Sequence, residues 1–214
     1  GISLTDTINQ RYESLQGVNT LINGDIDATV KQINNYAEQI AALNGEIVRS
    51  RGMGDNPNDL LDQRDLLVDK LSELVNCTAS DRDKDEFMVH VDGRVLVQGS
   101  IPRSFDLRTV IDNNGNPRLI WGDTKNDAVV KGGRLGALIE LRDVDIRSEM
   151  QSLNTMTMNF SDLVNDVHRN ATGMNGTTGL DFFTSHPFVE NVRGNYDYDA
   201  DGVMDRSYIF RFTG

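Results

Sequence analysis

Ile26, Ile33, Ile40 and Ile47 stand seven residues apart, a period that places apolar side chains on one stripe of a helix lying along a neighbour over a long distance. The pattern predicts a first helix over about residues 5–51, roughly 70 Å long at about 1.5 Å per residue. Upstream, Leu4, Ile8, Leu15, Val18 and Ile22 continue it, and the four-residue step from Ile22 to Ile26 is a stutter that locally unwinds a supercoil. Gly17 and Gly24 flank this zone and weaken the helix there. The pattern breaks at Gly52-Met53-Gly54 and restarts after Asp55-Asn56-Pro57, where Asn56 is the expected cap and Pro57 the first helical residue. Leu60, Leu61, Arg64, Leu67, Val68, Leu71, Leu74 and Val75 follow the spacing of a packed second helix, and so short a linker predicts antiparallel neighbours.

From Asn76 the period changes to two. Phe87-Met88-Val89-His90-Val91 alternates, Asp92-Gly93 is a strong hairpin signal, and Arg94 to Gln98 returns. Residues 104–111 and 118–121 form a second expected pair around the polar stretch 112–117. A third helix is expected from Arg134, where Ile139, Ile146, Leu153, Phe160 and Val167 are again seven apart, joined by Leu135, Met156 and Leu163. A loop and a terminal strand, Tyr208 to Phe212, complete the pattern. The fold class is therefore α+β: an elongated antiparallel helical bundle of three main helices, an inserted small antiparallel β domain, and a further partial β segment at the C-terminal end. The expected organisation is 1–76 for the first two helices, 77–131 for the β domain, 132–183 for the returning helix, and 184–214 for a loop and the start of a further β region.

Length changes this picture little, since 214 residues can bury a core of this kind. Charge changes it more. A net charge of −12 repels phosphate backbones and anionic lipid, which argues against nucleic acid and membrane surfaces and favours cations. No apolar run approaches the roughly 20 residues needed to cross a bilayer, and the N-terminus has no signal pattern. The chain begins within a helical pattern and reads as an internal piece of a longer protein, with Gly1 a cloning remnant. Cys77 is the single cysteine, so no internal disulfide can form.

Few residues request chemistry. Asp197, Asp199, Asp201 and Asp205, with Gly202 between the last two, match the first half of a calcium loop, in which alternate carboxylates converge on one cation. The closing glutamate is missing, Tyr208 holding its position, so calcium binding and a solvated acidic turn both fit. Lys131-Gly132-Gly133-Arg134-Leu135-Gly136 resembles a phosphate loop superficially but lacks its spacing, and its glycines read as a strand-to-helix junction. His90, His168 and His186 have no metal-site spacing, although His90 and Asp92 suit a surface pair. Cys77 has no cue to a catalytic base, and no nucleophile elbow exists, so no enzyme is indicated and no cofactor is required. Arg64-Asp65 and Arg142-Asp143 interrupt apolar helical surfaces. Ion pairs that pin helix register explain them better than exposed interface charges, because buried charges need partners.

Two stretches are specific when taken together. Residues 32–44, from Gln32-Ile33-Asn34-Asn35-Tyr36 to Leu43-Asn44, and residues 57–65, from Pro57-Asn58-Asp59-Leu60-Leu61 to Asp65, closely resemble the bacterial flagellar hook-associated protein 1 family. Gly93 with Leu96 to Ser100, Gly133 to Asp143, Asn165 to His168 and Asp181-Phe182-Phe183 extend the likeness, which covers about residues 20–183 and is loose between 100 and 130. It implies a structural adaptor between hook and filament, exported through the flagellar secretion apparatus to an extracellular or periplasmic place. The implied partners are other copies of the full-length protein, hook protein and the second junction protein, hook-associated protein 3. A chain lacking the family's coiled-coil ends is expected to be monomeric. The acidic loop lies outside the likeness, so calcium is not implied by it. Without the resemblance, the next reading is a helical-bundle ligand-sensing or adhesin ectodomain with a calcium-binding loop.

Overall fold

The computed structural model describes residues 2–83, 86–109, 115–174 and 176–183. Contacts divide the chain into two units, one of Gln16–Ile146 and one of Gly1–Leu15 with Arg147–Gly214. Helix α1, Ile2–Gly52, passes through both. It is unbroken at Gly17 and Gly24, where an added methyl group would meet nothing, so those glycines serve no packing need.

In the larger unit the isoleucine stripe is the centre of the core. Ile26, Ile33, Ile40 and Ile47 are all at or below 2% exposure, with Ile22, Val30, Ala37 and Ala41 buried beside them. Burying each large side chain contributes about 1.5–3 kcal/mol. The core is not helical alone. Leu71, Leu74 and Val75 reach it from the end of α2, Asn58–Leu74, and Val89, Leu96, Phe105, Leu119 and Trp121 reach it from β structure. The seam expected within a helical bundle is thus covered in large part by strands.

The strands are β1 Cys77–Asp83, β2 Glu86–Val91, β3 Arg94–Gln98, β4 Ile101–Pro102, β5 Phe105–Thr109 and β6 Pro117–Trp121. The first four form an antiparallel sheet in sequence order and the last two a ribbon. Alternation on β2 buries Phe87, Val89 and Val91. On β3 the register slips by one residue opposite Val89 and His90, and this bulge lets Leu96 and Val97 both be buried. Asp92 and Gly93 close the β2–β3 hairpin with φ of 46° and 84°, the left-handed pair that a two-residue turn needs. In the ribbon Phe105 lies opposite Trp121, their ring centroids 4.5 Å apart.

Two helix starts differ from expectation. Pro57 occupies the cap of α2 rather than its first turn, and no side chain caps that end; the Pro57 carbonyl accepts the Leu61 amide instead. The third helix is interrupted: α3, Gly133–Glu140, passes into a π-helical stretch, Leu141–Ile146, before α4, Arg147–Asn170. Gly133 begins α3 with φ of 64°, and a Cβ there would lie 2.6 Å from the Val75 backbone, so only glycine brings this start against the end of α2.

In the smaller unit α4 buries Thr157, Ser161 and Asn165, four residues apart. The apolar residues of its heptad turn outward: Met156 is 53% exposed, Phe160 37%, Leu163 66% and Val167 67%. This corrects the inward seam expected over Met156 to Val167, while Leu153 is half-buried.

Candidate functional site

Arg142 lies at the start of the π stretch with its side chain 2% exposed. Its Nε and one Nη donate to the two carboxylate oxygens of Asp143 at 2.7 and 2.9 Å. The other Nη donates to Asn23 Oδ1 on α1 at 3.0 Å and to the Pro117 carbonyl at the start of β6 at 2.9 Å. One guanidinium therefore ties two helices and a strand, and its planar fork meets the carboxylate in the geometry that makes arginine pairs strong. Arg64 is used differently: it pairs with the exposed Asp65 at 3.0 Å and stacks on Phe87, 3.7 Å from the ring centroid. Both arginines thus hold one element against another through Asn23, the Pro117 carbonyl and the Phe87 ring, whereas the ion pairs themselves join neighbours on one helix and do not pin helix against helix.

Asparagines extend this lock along α1. Asn19 and Asn23 both donate to Asn116 Oδ1, at 2.8 and 2.9 Å. Asn34 receives the Phe105 amide at 2.8 Å and donates to the Phe105 carbonyl at 2.9 Å, so its amide pairs with the strand edge as a peptide group would. Asn44 donates to the Gly99 carbonyl at 2.8 Å, although its own side-chain oxygen is buried with no partner among the described residues. Each bond carries about 1 kcal/mol net, but leaving the buried partner unpaired costs about 1–3 kcal/mol. The set fixes the translation of α1 along the β structure, which apolar packing alone leaves free to slide.

The outer face of the β structure is charged. Asp123 accepts from Arg94 at 3.2 Å and Arg103 at 3.3 Å, and the Arg94 guanidinium also lies over Trp121, 4.5 Å from its centroid. Partial burial would raise the Asp123 pKa, but the Thr124 amide and the two arginines outweigh it and bring it below the ordinary value. Asp106 is also held low, by the Lys125 ammonium at 3.1 Å and then by the Leu107 amide. Exposed pairs of this kind add little stability.

In the smaller unit, residues 179–183 fold back on the end of α4. Gly179 donates to the Arg169 carbonyl, Arg169 pairs with Asp181, and Asn165 exchanges two hydrogen bonds with Phe183, its oxygen taking the amide at 2.8 Å and its nitrogen donating to the carbonyl at 3.0 Å. This is the Asn34 arrangement repeated. A shallow apolar groove beside it is lined by Leu4, Ile8, Thr157, Phe160 and Phe183, and the Ser161 hydroxyl is buried there with no partner among the described residues.

Residues 1–183 match the family model described as the flagellar hook-associated protein FlgK helical domain. This chain belongs to that family. It is 33% identical over 212 residues to flagellar hook-associated protein 1 of Escherichia coli K12, covering 89% of this chain and 38% of that protein. The namesake from Salmonella typhimurium is 34% identical, with 90% and 38% covered, and that from Bacillus subtilis 28%, with 86% and 42% covered. The chain therefore spans about two fifths of these relatives. The structure of the flagellar hook junction protein FlgK from Burkholderia pseudomallei superposes with a TM-score of 0.77 at 25% identity, over 86% of this chain and 34% of that one. The α+β class expected from the period change agrees with this member of the family.

Within the family frame, the residues singled out for chemistry separate clearly. Asp197, Asp199, Asp201 and Asp205 lie outside the described residues, as do His186 and the strand expected over 208–212. Among the described residues no group of three His, Cys, Asp or Glu is placed to hold a metal, and no helix is long and apolar enough to cross a membrane. The glycines after Lys131 make the helix junction described above, and the Lys131 amide donates to Asp92 at 2.9 Å, which occupies the carboxylate expected beside His90. Cys77 is half-buried in β1 and burial pushes its thiol pKa up, away from nucleophilic use. The asparagines carried the signal that sequence reasoning missed: a residue that disfavours helix interiors recurs at 19, 23, 34 and 44 of one long helix.

Proposed function

We propose that the protein to which this chain belongs is a structural, non-enzymatic adaptor at the junction between the flagellar hook and filament, exported through the flagellar apparatus. The observation that carries this reading is the family match across residues 1–183, supported by a structural relative described as a flagellar hook junction protein. The interior is consistent with a load-bearing part: its buried charges and amides are used to hold elements together, not to converge on a ligand. Partners under this reading are further copies of the whole protein, hook protein and hook-associated protein 3. The 214-residue chain alone is monomeric, and light scattering showing a stable oligomer would contradict that.

Complementation of a strain lacking the gene tests the role. Full-length protein is expected to restore filaments on hooks by electron microscopy, and a version lacking residues 26–75 is expected to leave bare hooks. Filaments attached in the absence of both would sink the assignment. The acidic residues Asp197, Asp199, Asp201 and Asp205 carry a separate proposal, a calcium site accessory to assembly. Titration calorimetry with calcium should give heat that Asp199→Ala abolishes, and no heat from the parent chain rules the site out.

A further inference from the structure

We propose that the exposed face of α2 and the charged face of the β5–β6 ribbon, both in the larger unit, are the two halves of one interface between copies of this chain, the acidic face of one copy docking on the basic face of the next. Asp59, Asp62, Asp65, Asp69 and Glu73 are all exposed and stand three or four residues apart on α2. At about 100° per residue they share an arc of about 120°, on the side of the helix away from the inward Leu67, Leu71 and Leu74. Like charges at this spacing repel one another along a helix. Of the five, Asp65 alone has an ion-pair partner among the described residues, its neighbour Arg64. Leu66 lies within the same arc and is more than half exposed, an apolar centre in an acidic rim.

The ribbon is the counterpart in sign and in size. Arg108 stands directly across from Arg118, a like-charge pair that disfavours the pairing of its own strands. Asp127 serves both, at 3.5 and 3.3 Å, as Asp123 serves Arg94 and Arg103, and Lys125 has Asp106. Five cations therefore share three carboxylates, an excess of two positive charges in a chain whose net charge is −12. Ile101, two residues before Arg103, is more than half exposed and supplies an apolar point on this side. The fourteen residues from Asp59 to Glu73 extend about 21 Å along the helix and the five-residue strands of the ribbon about 17 Å.

The occupant follows from the charge. Each face carries a repulsion that a surface of opposite sign relieves, and one chain displays both signs, with no ion pair between α2 and the ribbon among the described residues. Complementary charge speeds encounter and fixes register more than it adds affinity. The contact is therefore transient for the 214-residue chain in solution and lasting where whole proteins are held side by side, and it rests on the adaptor reading only for that second setting. Because the two faces differ, the contact is head-to-tail and repeats from copy to copy, closing a ring or continuing as a helical row.

Disulfide trapping between mixed single-cysteine chains, with Cys77→Ser as background, tests the contact in solution. At low salt a Leu66→Cys chain is expected to join an Ile101→Cys chain at least about tenfold faster than does Met53→Cys, a control that is more exposed than Leu66, and about 0.5 M salt should remove the difference. Arg108→Glu with Arg118→Glu on the second chain should abolish the advantage, and Asp62→Lys with Asp69→Lys on the first should restore it. Equal rates for Leu66→Cys and Met53→Cys, or folded reversals that do not rescue one another, overturn the proposal. Where a reversal lowers the far-UV helix signal, Arg118→Gln and Asp69→Asn take its place, each expected to reduce the advantage at least about threefold, and no reduction overturns the proposal equally. In isolated hook-filament particles, full-length protein carrying both Leu66→Cys and Ile101→Cys should give disulfide-linked ladders, and intact particles without ladders overturn the proposal. Filaments missing even with the parent protein would instead sink the adaptor reading and leave the solution result standing.

Discussion

Ile26, Ile33, Ile40 and Ile47 on α1 are essentially inaccessible, whereas Met156, Leu163 and Val167 on α4, carried on a stripe of the same seven-residue period, are each more than half exposed. The two stripes look alike in sequence. On α1 the period runs without interruption through Ile47, and asparagines beside it bind the β structure. Before α4 lies a π stretch, and the residues that α4 buries are Thr157, Ser161 and Asn165. A heptad therefore establishes that a stripe exists. Whether it is covered depends on its neighbours, which apolar periodicity does not report.

The largest test of this contrast is a charge placed on each stripe. Ile40→Asp puts an unpaired carboxylate where nothing is accessible and should cost at least about 4 kcal/mol, enough to unfold the larger unit in a thermal melt. Leu163→Asp should shift stability by no more than about 0.5 kcal/mol. Equal losses at the two sites would mean that α4 is buried as α1 is.

A finer test uses the two asparagines that copy a peptide group. Asn34→Ala leaves both the Phe105 amide and carbonyl without their partner and should lower global stability by about 1–3 kcal/mol in urea titrations. Asn165→Ala should instead act locally, releasing hydrogen-exchange protection of the Phe183 amide while the main melting transition stays within about 0.5 kcal/mol. A global loss at Asn165 comparable to that at Asn34 would remove the distinction between core and appended segment.

Much of this fold is legible in the sequence, and the parts that are not have physical reasons. The isoleucine period located the core stripe, Asp92-Gly93 located the hairpin, and the paired Arg-Asp steps located the buried charges. Strand β1 is not legible in the sequence because residues 78–82 are exposed and mostly polar and their pairing partners are supplied by β2, so the strand shows no alternating apolar face. The β cover over α1 was missed because a helix stripe has the same spacing whether helices or strands lie on it. The π stretch is hidden for a related reason: Leu141 to Ile146 contains no proline or glycine to mark it, and Arg142 within it is held by Asn23, more than a hundred positions away on α1, and by the Pro117 carbonyl as well as by its neighbour.

Glycines on α1 sharpen the comparison by a smaller amount. Gly24→Ala places a methyl group in open space within an unbroken helix and should stabilise the larger unit by about 0.5–1 kcal/mol through helix propensity and a restricted unfolded chain. Gly133→Ala, in contrast, collides with Val75 and forces a left-handed residue, so it should destabilise. A gain at Gly133 would show that the start of α3 can relax away from α2.

The smallest expected effect lies on the charged outer face of the β structure. Asp106 and Asp123 have carboxyl pKa values below the ordinary 3.8, so their ionised forms are favoured by folding. The sign follows from linkage: their contribution is fully present above the unfolded pKa and is lost as pH falls through the lower folded values. Acidification from neutrality should therefore leave this contribution intact until the ordinary aspartate range and remove it below that range. Lys125→Met should raise the Asp106 titration midpoint, followed by carboxyl-carbon NMR, without restoring the ordinary value, because the Leu107 amide still donates to it. An unchanged midpoint would assign the whole shift to that amide and leave the lysine as a solvated neighbour. Either way the melting temperature at neutral pH should hardly move, in contrast to the buried Arg142, because ion pairs at the surface are screened by water and salt in a way that a desolvated guanidinium is not.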